Sequence, residues 1–162
     1  MCPLPALPPA NLLLVEDNDD DVYIAKHAIH EGRDADAFTL HVARDGVEGL
    51  QFLRREAPFQ NAPRPDLILL DLNMPRMDGR EMLGVVKNDP DLKRIPIIIL
   101  TTSDWEVDII KAYDAHANSY MTKPVDLKKF DEQINLFLGY WFGLIVLPTA
   151  NCTDAVGTIP HF

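Results

Sequence analysis

Cysteine is scarce in this chain, and its positions exclude one class of protein. The 162 residues include only Cys2 and Cys152, one close to each end. A small secreted domain held by disulfides needs several cysteines spread along its length. The chain must therefore fold around a hydrophobic core, which its 47% of hydrophobic residues can supply. A reducing, cytoplasmic compartment is expected.

Basic residues are also in the minority. Lysine and arginine number 15 against 25 acidic residues, which gives a formal net charge of −10. A nucleic-acid surface needs lysine and arginine to neutralise phosphates, and no basic patch stands out in the sequence. We expect no nucleic-acid partner.

Long apolar runs are missing as well. The longest, "INLFLGYWFGLIVLP", falls short of the roughly 20 residues that a bilayer requires and contains two glycines. The N-terminal "MCPLPALPPA" has four prolines and no positive charge, which excludes a signal peptide. We interpret residues 1–10 as a flexible arm, residues 11–143 as one domain and residues 144–162 as a C-terminal arm or tail. No membrane contact is expected.

Strand-like and helix-like segments alternate through the predicted domain. Apolar or alternating runs at residues 11–17, 37–43, 66–71, 95–101 and 119–122 predict strands, and helical periodicity follows each run. Several of the runs are continuously apolar, as in parallel strands buried on both faces. Strict alternation of this kind predicts an α/β fold with a doubly wound, five-stranded parallel sheet and helices on both faces.

Chemically active residues follow the predicted strands. Glu16 and Asp17 follow the first strand, Asp71 the third, Thr101 ends the fourth and Lys123 follows the fifth. The carboxyl ends of parallel strands meet at one edge, where such sheets carry their sites. Crowded carboxylates repel unless a cation intervenes, and carboxylate oxygens suit Mg²⁺. A carboxylate beside a metal can act as a nucleophile, so the pattern predicts phosphoryl transfer onto Asp71.

Four motifs carry a family resemblance. "LLLVEDN", "DLILLDLNMPRMDG", "IIILTTS" and "SYMTKP" resemble the receiver domains of two-component response regulators, in order from Asn11 to Leu138. "DPDLKRIPIIILTTS" and "AHANSYMTKPVDL" are similar to the single-domain regulators that serve bacterial phytochromes. The resemblance implies a flavodoxin-like strand order of 2-1-3-4-5.

The resemblance implies specific roles at the metal site. Asp71 would be the phosphoacceptor, Glu16 and Asp17 the acidic pair that holds Mg²⁺, and Asn73 a ligand through its backbone carbonyl. Acidic residues continue at positions 19–21, and we expect them to favour the first turn of a helix, where negative charge suits the dipole. Tuning of the metal site or contact with a kinase is the alternative.

The resemblance also implies a set of responding residues. Thr101 would move to meet the phosphoryl group, Lys123 would contact it, and Tyr120 would turn inward as Thr101 moves. Pro124 would follow Lys123 in a cis peptide bond.

These roles imply a signalling protein that catalyses only its own phosphorylation and dephosphorylation. The donor would be a sensor histidine kinase, a bacterial phytochrome in this subgroup, and output would pass to a histidine phosphotransfer protein or a direct partner. The alternative is a metal-dependent phosphatase with an aspartyl-phosphate intermediate. That chemistry wants an acid two residues after the nucleophile, where this chain has Asn73.

The C-terminal apolar stretch exceeds what one helix face can bury. We expect Gly143 to end the last helix and the following residues to form an arm. An exposed apolar patch often marks an interface, so a two-fold homodimer is predicted, with the interface residues Tyr140, Trp141, Phe142, Leu144, Ile145, Val146 and Leu147. The alternative is that the arm folds back onto its own subunit.

Overall fold

The computed structural model describes residues 9–31 and 35–148. Five strands alternate with five α-helices along this part of the chain. The strands are β1 (Ala10–Val15), β2 (Phe38–Ala43), β3 (Leu67–Leu70), β4 (Ile97–Thr101) and β5 (Ser119–Thr122). The helices are α1 (Asp19–His30), α2 (Gly46–Arg54), α3 (Gly79–Asn88), α4 (Glu106–Asp114) and α5 (Leu127–Gly143), with a short 3₁₀ turn at Ala35–Ala37.

The strands form one parallel sheet in the order β2-β1-β3-β4-β5. This order and the doubly wound α/β architecture confirm the predicted fold class. β1 and β3 are neighbours at the centre, with Val15 opposite Leu70 in the last paired register. The residues that follow these two strands therefore leave the sheet side by side.

Alternate residues of β3 supply two separate cores. Leu67 and Leu69 join one hydrophobic cluster, and Ile68 and Leu70 join the other. Successive strand side chains point to opposite faces, so a strand covered on both sides is apolar throughout. α1 and α5 supply apolar residues to the first cluster, and α2, α3 and α4 supply them to the second.

Polar caps fix where four of the helices begin. The side chains of Asn18, Asp45, Asp78 and Asp126 each accept a hydrogen bond from the backbone N–H three residues later. Such caps satisfy one of the free N–H groups of the first turn. All four helices follow a parallel strand, so they start at the sheet edge where the predicted site residues lie.

The C-terminal apolar stretch divides between the core and the surface. α5 ends at Gly143, as the sequence predicts. Trp141 and Phe142 pack against the core of their own chain, and the Phe142 ring meets Phe38 edge-on at 5.0 Å between centroids. These two residues were predicted to lie in a dimer interface.

Within the described residues, no helix is both long and apolar enough to cross a membrane.

Candidate functional site

Three carboxylates meet beyond the ends of β1 and β3. The backbone N–H of Glu16 donates to Ala43 O, and that of Asp71 donates to Val15 O, so both residues continue the ladder of the sheet. Oxygen atoms of Glu16, Asp17 and Asp71 all lie within 4.8 Å of one another. Glu16 and Asp71 are buried and Asp17 is exposed, so the cluster opens to solvent on one side. The structure thus brings together the predicted acidic residues.

Lys123 lies against this cluster. Its Nζ forms an ion pair with Glu16, donates to Asp21 Oδ2 at 2.8 Å and lies 3.8 Å from Asp71 Oδ1. Burial disfavours the charge of Lys123, but the hydrogen bonds to Asp21 and Glu16 outweigh it and raise the lysine pKa. Lys123 therefore stays protonated and supplies one positive charge to the cluster.

One lysine does not neutralise three carboxylates. Burial raises the pKa of Glu16 to about 7, with the negative charge of Asp71 adding to the effect and Lys123 opposing it. Burial also raises the pKa of Asp71, against the opposing charge of Lys123. A further cation beside these crowded carboxylates would favour their ionised forms. The all-oxygen donor set fits a hard divalent ion such as Mg²⁺.

A backbone donor holds the Asp71 carboxylate in place. The N–H of Leu72 donates to Asp71 Oδ1 at 2.9 Å, and the Thr101 hydroxyl and the Asn73 N–H oppose the rise in the Asp71 pKa that burial causes. Thr101 is fully buried at the end of β4. A carboxylate held in a defined orientation can act as a nucleophile.

The β3–α3 loop shapes an open cleft of about 330 Å³ beside the carboxylates. Its lining consists of Asp17, Leu72, Asn73, Met74, Pro75 and Asp78. Gly79 closes the loop, because its N–H donates to Leu72 O at 3.0 Å. A Cβ at Gly79 would lie 2.0 Å from the carbonyl oxygen of Asp71, so no side chain fits there. Asn73 is exposed at the cleft, the position expected of the predicted carbonyl ligand.

Tyr120 and Thr101 are connected through Ser103. The Tyr120 hydroxyl donates to Ser103 O at 2.9 Å, and the Ser103 N–H points to Thr101 Oγ1 at 3.5 Å. The Tyr120 ring is half-buried and packs against the core cluster of α2, α3 and α4. The two predicted switch residues therefore both contact Ser103 of the β4–α4 loop.

The polar chain that continues from Ser103 was not predicted. The Ser103 hydroxyl donates to Asp108 Oδ2 at 2.7 Å, and Arg80 of α3 pairs with the same carboxylate at 2.9 Å. The only signal in the sequence is the position of Ser103, two residues after Thr101. Its partners come from two other helices, which periodicity alone does not bring together.

Asp21 has a larger part than predicted. Asp19, Asp20 and Asp21 do form the acidic first turn of α1. Asp21 is in addition a direct partner of Lys123, which follows β5 at the same edge of the sheet. The interpretation of this residue as a contribution to the helix dipole alone is wrong.

The prediction for Pro124 is also wrong. Among the residues that the structure describes, the cis peptide bond lies between Ala57 and Pro58, not between Lys123 and Pro124.

Known proteins share both the sequence and the fold. Residues 12–135 match the family described as "Response regulator receiver domain". Response regulator Rcp1 of Synechocystis sp. is 41% identical over 149 residues, which is 88% of this chain and 96% of Rcp1.

Solved structures agree. The phosphorylated cyanobacterial phytochrome response regulator RcpA is 40% identical with a TM-score of 0.83, covering 87% of this chain and 99% of RcpA. The Mn²⁺-bound form of Rcp1 is 40% identical with a TM-score of 0.81, covering 87% of this chain and 100% of Rcp1. The resemblance to phytochrome response regulators is confirmed, and this chain belongs to the response regulator receiver domain family.

Proposed function

We propose that this chain is a response regulator that accepts a phosphoryl group on Asp71 from a sensor histidine kinase, with Mg²⁺ as cofactor. The observation that carries the proposal is the meeting of Glu16, Asp17 and Asp71 with Lys123 at one edge of the sheet. Glu16, Asp17, Asp71 and the Asn73 carbonyl would hold the ion. When bound, Mg²⁺ would offset the negative charge of the carboxylates and of the incoming phosphoryl oxygens.

The transfer itself is a substitution at phosphorus. An oxygen of Asp71 attacks the phosphorus of a phosphohistidine, the phosphorus–nitrogen bond breaks, and the imidazole of the kinase leaves with that electron pair. Leu72 holds the attacking carboxylate through its N–H group. The new phosphoryl oxygens would take hydrogen bonds from Lys123 and Thr101, both within the same buried corner.

Phosphorylation would bias a switch that runs through Thr101 and Tyr120. If Thr101 turns to the phosphoryl group, Ser103 and the β4–α4 loop follow, and Tyr120 is bonded to that loop. The loop leads into α4, which exposes Val107, Ile110 and Tyr113. Phosphorylation would thus change a surface suited to protein contacts, on a direct partner or a histidine phosphotransfer protein.

We infer that the kinase is a bacterial phytochrome and that the protein works in the cytoplasm. Support for the phytochrome comes from the similarity to the cyanobacterial phytochrome response regulator RcpA, which is 40% identical to this chain. The scarcity of cysteine supports a reducing compartment.

Labelling with a small phosphodonor tests the proposal. With Mg²⁺ and acetyl phosphate the protein should gain one acid-labile phosphoryl group, and chelation of Mg²⁺ should prevent it. Asp17→Asn should raise the Mg²⁺ concentration needed for half-maximal labelling roughly tenfold, because a charged ligand is lost. Asp20→Asn makes the same charge change on an exposed neighbour and should leave labelling as in the wild type.

Phosphotransfer from purified histidine kinases, a phytochrome among them, tests the choice of donor. Rapid transfer from the phytochrome alone would support the inference. A wild-type protein that is labelled by no donor, or that turns over small phosphate esters, would contradict the proposed function.

We also propose a homodimer built on α4, β5, α5 and the C-terminal arm. Tyr140, Leu144 and Val146 are 51%, 73% and 95% exposed, which leaves apolar surface for a second copy. Ile145 and Leu147 are partly buried, and Trp141 and Phe142 pack against the hydrophobic core of their own subunit.

Truncation after Gly143 tests the dimer. Sedimentation should show a weakened dimer, while circular dichroism shows the fold intact because α5 is complete. Tyr23→Ser, which removes an exposed aromatic residue on α1, should leave the dimer unchanged. A full-length protein that stays monomeric at tens of micromolar, with and without phosphorylation, would refute the proposal.

A further inference from the structure

A charged pair ties the β3–α3 loop to the start of α2. The Nε of Arg76 donates to Asp45 Oδ2 at 2.5 Å. The Asp45 side chain is only 6% exposed, whereas Arg76 is 56% exposed and reaches inward from the rim of the loop. The pair joins residues 31 positions apart in the chain.

Asp45 uses its two oxygens for two different purposes. Oδ1 accepts from the backbone N–H of Glu48 and caps α2, and Oδ2 accepts from Arg76. Burial disfavours the charged carboxylate, but the bonds from Arg76 and from the Glu48 N–H outweigh it and lower the Asp45 pKa. A buried, ionised carboxylate is costly without its partner, so the pair resists opening.

The backbone beside the pair is equally constrained. Arg76 has a φ of 61°, in the left-handed region where a residue with a side chain is uncommon. Met77 follows, and its carbonyl accepts from the N–H of Gly46 at 3.0 Å. A Cβ at Gly46 would lie 2.7 Å from Met77 Cγ and 2.9 Å from Met77 O, so the loop and α2 are in direct contact. An unusual backbone conformation persists where surrounding contacts define it, as they do here.

The tied segment lies next to the carboxylate cluster. Four residues separate Asp71 from Arg76, and the first of them, Leu72, donates its N–H to the Asp71 carboxylate. The loop is thus fixed at Asp71 and at Arg76, while Asn73 itself is exposed. The position of the Asn73 carbonyl therefore depends on both attachments.

We propose that Arg76 and Asp45 are positioning residues for the metal site. The pair holds the β3–α3 loop where the Asn73 carbonyl can serve as a ligand, and so sets the affinity for Mg²⁺. The assignment of the metal site rests on the proposed function, but the role of the pair concerns metal binding alone and needs no phosphorylation.

The test is an NMR titration of the full-length protein with Mg²⁺, following the backbone amides of residues 71–74. Arg76→Gly removes the guanidinium and suits a positive φ, so backbone strain does not contribute, and Asp45→Asn, which leaves the loop sequence unchanged, separates the lost pair from the added freedom of glycine. Its Mg²⁺ affinity should fall about tenfold, the lower end for partners that orient a ligand. Asp45→Asn retains an N-cap residue and should weaken binding in the same direction.

A double variant and a control complete the design. Arg76→Gly combined with Asp45→Asn should bind Mg²⁺ no more weakly than Arg76→Gly alone, because the second change removes an interaction already lost. Arg44→Ala removes an adjacent, exposed ion pair with Asp19 and should bind like the wild type. Urea midpoints of all the variants show whether the fold is retained.

The outcomes separate the inference from the function on which it rests. Unchanged Mg²⁺ affinity in both Arg76→Gly and Asp45→Asn would overturn the positioning role, even if the wild type is labelled by acetyl phosphate. Additive losses in the double variant would overturn it as well. Weaker Mg²⁺ binding in the single variants would uphold it, even if the wild type accepts no phosphoryl group.

Discussion

Replacing Asp71 by asparagine should reduce labelling by acetyl phosphate to background. The amide has nearly the shape of the carboxylate and can still accept from the Leu72 N–H, but it is no nucleophile. The change also removes one of three crowded carboxylates, so the fold should tolerate it. Radiolabel or mass measurement over the time course of wild-type labelling checks the result.

Asp78→Asn is the matched control for this experiment. Asp78 lines the same cleft and caps α3 through the Glu81 N–H, a bond that asparagine can keep. It should be labelled as the wild type is. If Asp71→Asn were labelled at the wild-type rate, another residue would be the phosphoacceptor and the assignment would be wrong.

Gly79→Ala should have the largest effect on stability. The added Cβ would lie 2.0 Å from the carbonyl oxygen of Asp71 and 2.9 Å from Leu72 Cα, both of them backbone atoms that cannot turn away. Either α3 shifts or the loop moves, and the Gly79–Leu72 hydrogen bond is strained. We expect a loss of about 3 kcal/mol in the free energy of unfolding, at the upper end for overpacking.

Gly84→Ala on the same helix separates this effect from helix propensity. Apart from its chain neighbours and the backbone of its own helix, nothing lies within 4 Å of a Cβ built at Gly84, so the change should stabilise the protein by about 0.5 to 1 kcal/mol. Urea denaturation with an unchanged slope measures both variants. Equal unfolding midpoints for Gly79→Ala and the wild type would mean that the close approach to Asp71 is not rigid.

The strand-end residues could be predicted because topology constrains them. Parallel strands place their carboxyl ends at one edge, so Glu16, Asp71, Thr101 and Lys123 were predicted to meet before any distance was known. The buried face of α1 can be predicted in the same way, because the spacing of its apolar residues shows which side of the helix faces the core. These conclusions need only the order of the elements and the period of their side chains.

The sequence by itself determined the alternating fold, the acidic edge of the sheet and the end of α5 at Gly143, since each depends on local patterns of apolar, polar and glycine residues. Only the tertiary structure decided which partners those residues take. Lys123 bonds Asp21, 102 positions away, and Phe142 packs on Phe38 instead of reaching outward. Hydrogen bonds and ring contacts act over only a few ångströms. Which partner a side chain takes therefore depends on how the packed helices and loops bring together residues that are far apart in the sequence.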